Sequence, residues 1–293
     1  MLVSICLCTY KRSHVRETIK SILNMTLPKD VFLEIVVVDD DVEQTGLKYI
    51  GDILEDKSDI KYLVSGESNV AKARNLAMQN AEGDWLFFLD DDEIVNERAL
   101  LEMLKAADTY NADVVFGKVG SVYPDDAPEW IVKGDFFNRK FKETGTEVDS
   151  GGCGCTFVSK NAIDDLNITF NPLYGKTGGE DSDFFYRIKK AGRNLVYCNE
   201  AYAEELVEKN RLNACYILDR AYRVGQTYTR YRIVESGFSN EVAYFVKEFS
   251  KLIISMAMYQ FYTFIRSEKA FRWNIKMFDI KGKLSILLGK DRQ

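Results

Sequence analysis

An α/β fold built on a mostly parallel sheet flanked by helices, with a helical extension at the carboxyl end, is what this sequence predicts. Three observations carry the reading. Short β-branched runs alternate with amphipathic segments of helical period. The runs are too continuously apolar for strands with one wet face. Two of them end in three consecutive aspartates, at the strand ends beyond which such sheets bind their ligands.

The elements follow in chain order. "LVSICLCT" (2–9) is a strand, and the turn "YKRS" leads into a helix from His14 to Met25 with Val15, Ile19, Ile22 and Leu23 on one face. "FLEIVVVDDD" (32–41) repeats the design, its run from Ile35 to Val38 suiting a strand covered on both sides. "DIKYLVS" (59–65) is a third strand, "NVAKARNLAMQNA" (69–81) a helix with Val70, Ala73, Leu76 and Ala77 inward, and "DWLFFLD" a fourth strand. "NERALLEMLKAAD" is a helix capped by Asn96, and "ADVVFGKV" (112–119) a fifth strand. "SGGCGC" (150–155) is a turn before the strand "CTFVS". In "YGKTGGEDSDFFYRIKKAG" (174–192), Gly178 and Gly179 break the chain before a helix. Its first turn holds Glu180, Asp181 and Asp183, and its apolar positions are Phe184, Tyr186, Ile188 and Ala191. The "GKT" there is not a phosphate loop, because the position five residues before Gly175 is Phe170 and Pro172 interrupts.

A chain of 293 residues, 46% hydrophobic and 29% charged, can bury a core as one large domain or two small ones. With 39 basic against 45 acidic residues the net charge is -6, which argues against a nucleic-acid partner bound by phosphate neutralisation. Cys6, Cys8, Cys153, Cys155, Cys198 and Cys215 form no C-x-x-C, and His14 is the single histidine, so a zinc site is not expected. Scattered thiols and the lack of a basic-plus-apolar leader make a reducing cytosol the simplest compartment.

Aspartates 39–41 and 90–92 fall at carboxyl ends of strands, and carboxylates gathered on one rim need a cation or hydrogen-bond donors as compensation. Mg²⁺ or Mn²⁺, held by one or two carboxylates with water and substrate phosphate, is the obvious partner. The plainer alternative is that acidic turns solvate strand ends and cap helices.

The set "VSICLCTYKR", "IVVVDDD", "AKARNLAMQNAEGDWLFFLDDDE" and "GGEDSDFFYRIKKAG" resembles the inverting family 2 glycosyltransferases, in order and at their usual separations, over about residues 2 to 230. "EELVEKNRLNACYILDRAYRVGQTYTRY" (204–231) resembles the bacterial exopolysaccharide subgroup of the succinoglycan-biosynthesis type. The resemblance implies a Rossmann-like GT-A fold over 1–235, with 1–120 the nucleotide-sugar half, 121–235 the acceptor side, and 236–293 a basic helical extension. It implies that Thr9, Tyr10 and Asp39 meet the nucleotide base, and that Arg74 lies near base and diphosphate. Arg12 and Asp90 join the nucleotide-binding set, Asp91 lies near the ribose, and Asp92 ligates Mn²⁺ or Mg²⁺. Gly152 and Cys153 belong to the small-residue stretch beside the donor sugar. Asp181, with Glu180 as the alternative, is the base that takes the acceptor hydroxyl's proton while the metal-held diphosphate leaves.

Two departures from the family pattern matter. The histidine that many members carry after the base-bearing helix is missing from "YCNEAYAEEL", where Glu204 or Glu205 either substitutes as a ligand or is solvated. The Q-x-x-R-W signature of processive synthases is absent, which implies single-sugar addition. The implied partners are a nucleotide-sugar donor, UDP-linked by family frequency, and a saccharide or lipid-diphosphate-linked saccharide acceptor. The uncharged run "LIISMAMYQFYTFI" (252–265) is too short to span a bilayer, which takes ~20 residues. Eight basic residues follow it (Arg266, Lys269, Arg272, Lys276, Lys281, Lys283, Lys290 and Arg292) against Glu268, Asp279 and Asp291, with Phe271, Trp273 and Phe278 among them. This segment suits the inner face of an anionic membrane, or else packs on the catalytic domain or a homodimer partner. Two other functions share the layout: a sugar-nucleotide nucleotidyltransferase, whose glycine-rich loop "CTYKRSHV" lacks, and a non-catalytic nucleotide-sugar-binding scaffold.

Overall fold

A computed structural model describes residues 1–57, 59–138, 141–233, 238–265 and 269–289. By contacts the chain divides into two units: Met1–Tyr123, Phe137–Lys176 and Asp183–Val207 form the first, and Pro124–Phe136, Thr177–Ser182 and Glu208–Gln293 the second.

The first unit is organised by β1 (Leu2–Thr9), β2 (Phe32–Asp39) and β4 (Trp85–Asp90), adjacent and parallel, with β3 (Ile60–Val64) outside β2. Successive side chains of a strand point to opposite faces. Val3, Ile5, Leu7, Val37, Phe87 and Leu89 enter one core cluster, shared with α1 (Val15–Leu23) and α4 (Ala99–Tyr110). Cys6, Val36, Val38, Leu86 and Phe88 enter a second, shared with α3 (Val70–Asn80) and α7 (Glu180–Lys190). Burial on both faces is why these strands read as unbroken apolar runs. The register pairs Thr9 with Asp39 and Cys8 with Asp90, so three carboxyl ends share one edge.

Beyond β4 the sheet is mixed, while parallel pairings still outnumber antiparallel ones among the described strands. Among the described residues the order is β3-β2-β1-β4-β7-β6-β8-β5. Here β5 is Glu93–Val95, β6 Val114–Val122, β7 Thr156–Ser159 and β8 Leu195–Leu206. The strand β7 runs antiparallel to both β4 and β6, and β5 antiparallel to β8. Orientation is invisible in the sequence because a doubly buried strand is apolar whichever way it runs.

Several local expectations also shift. The helix α2 (Leu47–Asp56), the strand β5 and the full length of β8 were not foreseen. The cap of α4 is Arg98, and Asn96 instead accepts the Arg98 N–H in the preceding turn. In α3 the buried face is Ala71, Ala73, Arg74, Ala77 and Met78, with Val70 and Leu76 only half-buried. In α7 Phe185 is buried with Phe184 and Ile188, while Ala191 is exposed.

The second unit is dominated by α8 (Ala214–Arg232), α9 (Phe238–Phe264) and α10 (Lys269–Leu287). Glycines let α8 and α10 touch backbone to backbone: a Cβ on Gly225 would lie 2.0 Å from the Asp279 carbonyl, and one on Gly282 2.0 Å from that of Tyr222. The polarity of α9 is inverted, with Glu248 and Ser255 buried and Val246, Phe249, Ile253, Ile254, Phe261 and Phe264 exposed. No described helix is long and apolar enough to cross a membrane. Phe271 does not face outward: it sits 5.0 Å from Trp130 and 5.1 Å from Phe136, ring centre to ring centre, and Arg272 donates to the Gly134 carbonyl. The expected boundary at 235/236, and Arg266, Glu268, Lys290, Asp291 and Arg292, lie outside the described residues.

Candidate functional site

The shared strand edge carries the densest polar chemistry of the first unit. At the end of β4, Asp91 and Asp92 are 5% and 8% exposed, so their charges need partners. Thr9, the last residue of β1, donates its hydroxyl to Asp91 Oδ2 at 2.8 Å. One nitrogen of Arg12, Nη1, is shared between Asp91 Oδ1 at 2.9 Å and Asp92 Oδ2 at 2.8 Å. Arg74, buried in α3 with its guanidinium 5.7 Å from the Phe170 ring, donates to Asp90 Oδ1 at 3.0 Å. Arg74 is therefore no surface arginine.

Burial dominates the electrostatics. It pushes the Asp92 carboxyl up to about 7, helped by Asp90 and opposed by Arg12. Asp91 is raised by burial too, against the pull of Arg12 and Thr9. The strongest case is Glu93, 2% exposed, which burial and Asp90 hold well above the usual carboxylate range. Its Oε2 accepts the N–H of Asp90 at 3.2 Å and of Cys155 at 3.0 Å. Glu93 thus fastens the acidic triplet to the loop of residues 150–155. The "DDDE" run put it in view, but nothing in the sequence says that its side chain turns inward.

That loop approaches closely because it lacks side chains: a Cβ on Gly154 would lie 2.1 Å from Glu93 Oε1, and one on Gly151 2.3 Å from the Phe116 ring. Gly152 accepts the Thr156 hydroxyl at 2.7 Å through its carbonyl, and Cys153 is buried. A cavity of about 130 Å³ is lined there by Phe116, Phe141, Ser150, Gly152, Gly154 and Tyr197.

The second triplet is used differently. Asp39, fully buried, accepts the Gly46 N–H at 2.7 Å, the Tyr62 hydroxyl at 2.6 Å and the Asp41 N–H at 3.0 Å. Asp40 accepts from Ser65 and the Glu67 N–H, and Asp41 from Thr45 and the Glu43 N–H. Hydrogen-bond donors therefore compensate this triplet, as the turn-capping alternative requires. Tyr10 is exposed beside the Lys11 ammonium, and Lys11 itself has φ +57 and reaches Asp41 at 3.6 Å. Glu205 is half-buried opposite Glu93 and its charge acts on Asp92, whereas Glu204 is exposed and accepts the Tyr202 hydroxyl.

In the second unit, Gly178 and Gly179 have φ +83 and +97, the region where glycine is free of strain. They turn the chain into α7, where Glu180 is buried and Asp181 half-buried, accepting the Ser182 N–H at 2.6 Å. A helix N-terminus favours negative charge.

Among the described residues, no three His, Cys, Asp or Glu side chains are grouped to hold a metal ion by themselves. The donor set at Asp91 and Asp92 nevertheless fits a hard divalent cation, since two buried carboxylate oxygens already converge on one positive group. Two carboxylates with water and phosphate are what Mg²⁺ or Mn²⁺ uses.

Comparisons with known proteins show what the chain is similar to. The model of "Glycosyl transferase family 2" matches residues 4–166. The succinoglycan biosynthesis protein ExoM of Rhizobium meliloti is 34% identical over 229 residues, 78% of this chain and 74% of that protein. The poly(ribitol-phosphate) beta-N-acetylglucosaminyltransferase TarS of Staphylococcus aureus is 26% identical over 226 residues, 76% of this chain but 35% of its own length. The crystal structure of TarS 1-349 in complex with UDP-GlcNAc has a TM-score of 0.57 at 17% identity, covering 100% of this chain and 93% of that one, which shows a shared fold.

Proposed function

This chain belongs to glycosyl transferase family 2 and has the GT-A fold expected of it, and from that premise we propose that it moves a single sugar from a nucleoside-diphosphate sugar, UDP-linked, onto a saccharide acceptor in bacterial surface polysaccharide synthesis. The observation that carries the reading is the edge where Thr9, Arg12 and Arg74 converge on Asp90, Asp91 and Asp92. A nucleotidyltransferase is not favoured, because the family match and the missing glycines in "CTYKRSHV" both count against it. Intact acidic motifs speak against a non-catalytic scaffold.

In this proposal Asp92, with Asp91 beside it, holds Mn²⁺ or Mg²⁺, which when bound supplies Lewis-acid stabilisation of the departing diphosphate. Arg12, Arg74 and Asp90 orient the nucleotide, planar guanidinium groups matching phosphate oxygens. Thr9, Tyr10 and Asp39 form the base side, and Gly152 and Cys153 leave room for the donor sugar. Asp181 accepts the proton of the acceptor hydroxyl, with Glu180 as its alternative, and the anomeric centre inverts in one displacement. Asp181 stands half-buried at the start of α7, with the Ser182 N–H on one of its oxygens. Releasing nucleoside diphosphate from a panel of nucleotide sugars, with and without Mn²⁺, tests the whole. Release from UDP-sugars that needs Mn²⁺ and acceptor is expected, whereas pyrophosphorolysis of the sugar nucleotide instead would overturn it.

The acceptor is proposed to be a lipid-diphosphate-linked saccharide met at the inner face of an anionic membrane. The exposed Ile253, Ile254, Phe261 and Phe264 of α9, with the cations of α10 nearby in sequence, support this. Flotation with anionic vesicles should carry the native chain, and the double change Ile253→Asp and Phe261→Asp should abolish it. Self-association lost on the same change, without flotation of the native chain, would assign the face to a homodimer.

A further inference from the structure

The helix α8 lies within the segment that resembles the exopolysaccharide subgroup, yet it has no part in the chemistry above. Its two sides are taken by different partners. On one, Gly225 meets the Asp279 carbonyl and Gln226 donates to the Ser285 hydroxyl of α10 at 3.2 Å. Thr227, two residues on from Gly225 and so about 200° round the helix, meets the glycine turn that leads into α7. There a Cβ on Gly179 would lie 2.2 Å from Thr227 Cγ2 and 2.8 Å from its Oγ1, so the turn rests directly on this side chain. The Thr227 hydroxyl reaches the Gly178 carbonyl, and Arg230, one turn further along, reaches the Thr177 hydroxyl, each at a long 3.5 Å. At such distances hydrogen bonds are weak, and it is packing against Thr227 that sets the spacing. Glu180 and Asp181 follow immediately after Gly179.

We propose that Thr227 is the positioning residue of the turn that carries the proton acceptor: α8, backed by α10, seats Gly178 and Gly179 and thereby fixes where Asp181 stands. The inference rests on the reading of Asp181 as the base, or of Glu180 in its place. Two successive glycines with φ +83 and +97 form a backbone with little stiffness of its own, so the turn takes its place from what it leans on. Thr227 suits that task, because a β-branched side chain on a helix has few χ1 states. The helix beneath it cannot recede, since Gly225 already lies against the backbone of α10. A base displaced by about 1 Å costs up to about 10²-fold in rate. The carboxy-terminal helices thus enter the chemistry through a chain of contacts, from α10 to α8 to the turn.

The test is UDP release by the full chain from UDP-glucose, UDP-galactose and UDP-N-acetylglucosamine with Mn²⁺, water serving as acceptor, alongside UDP affinity by calorimetry. On the sugar nucleotide that the native chain turns over fastest, Thr227→Ala should lower kcat by about 10- to 100-fold. Its UDP affinity should stay within about threefold of native, a split that general loosening of the fold would not produce. Thr227→Val, which keeps the shape and gives up the hydroxyl, should keep kcat within about threefold of native, because contact and not the long hydrogen bond does the seating. Should Thr227→Ala melt, Thr227→Ser, which removes only the methyl against Gly179, takes its place with the same expectation. Native kcat in Thr227→Ala, or equal loss in Thr227→Val and Thr227→Ala, or a parallel loss of UDP affinity, would overturn the positioning role. Asp181→Asn and Glu180→Gln separate the two layers. If one of them loses turnover while Thr227→Ala keeps it, the base reading stands and the inference falls. If both turn over as the native chain does, or if the native chain releases no UDP from any of the three, the underlying reading fails and the inference with it.

Discussion

Gly154→Ala tests the joint between the acidic triplet and the loop beside it. The added methyl would lie 2.1 Å from Glu93 Oε1, 3.1 Å from its Cδ and 3.3 Å from Asp90 Oδ2. Carbon and oxygen pack comfortably at about 3.4 Å, so more than an ångström of displacement is required. The carboxyl cannot give easily, because Oε2 is held by the N–H groups of Asp90 and Cys155. Overpacking of this kind costs about 1–3 kcal/mol, and at roughly 2–4 °C per kcal/mol for a chain of this size the melting temperature should fall by about 2–12 °C. Turnover should suffer more than stability, because the displaced group aligns Asp90 with the loop 150–155. Glu93→Asp, one methylene shorter, makes room for the methyl. In that background Gly154→Ala should be milder by about 1 kcal/mol, a coupling that a double-mutant cycle of melting curves resolves. Additive changes, or a Gly154→Ala chain with native melting and native diphosphate release, would refute the contact as a working joint.

Other expectations follow from the same contacts. Gly225→Ala would place a methyl 2.0 Å from the Asp279 carbonyl, backbone that α10 cannot shift alone, and should destabilise by about 3 kcal/mol. Gly51→Ala, within α2 and with nothing inside 4 Å, should stabilise by about 0.5–1 kcal/mol, and paired denaturation curves check both signs. Burial pushes the Glu34 carboxyl up, but hydrogen bonds from Ser4, Lys61 and the Glu82 N–H outweigh it and leave the group below its ordinary value. A depressed acid stabilises the fold above its unfolded value and stops doing so as pH falls through the folded one, so this contribution disappears on the acid side of about pH 4.5. Glu34→Gln should therefore cost about 2 kcal/mol near neutrality and progressively less toward pH 3; parallel stability curves for the two proteins would contradict it. Asp181→Asn should abolish sugar transfer while UDP affinity, measured by calorimetry, stays within about threefold; a base contributes to the chemical step, typically about 10²- to 10⁴-fold, and not to ground-state nucleotide binding. Loss of UDP affinity would place Asp181 with the donor instead.

Much of the architecture was legible because its causes are local. Burial on both faces shows as the unbroken runs Ile35–Val38 and Leu86–Leu89, and a parallel arrangement sends the aspartates that follow them to one edge. The glycines 178 and 179 announced a backbone that only they adopt readily, and they do carry positive φ. A motif read along the chain thus located the acidic edge from residue types and spacing alone. What only the tertiary structure decided is which group answers which charge. Arg12 and Asp92 are 80 residues apart, Glu93 and Cys155 are 62 apart, and Asp39 closes on Tyr62. The insertion of β7 between β4 and β6, and the apolar outer face of α9, belong to the same class. Hydrophobic period reports how much of a segment is covered, whereas the identity and direction of its neighbours, and hence the partner of every buried charge, arise only when distant segments meet.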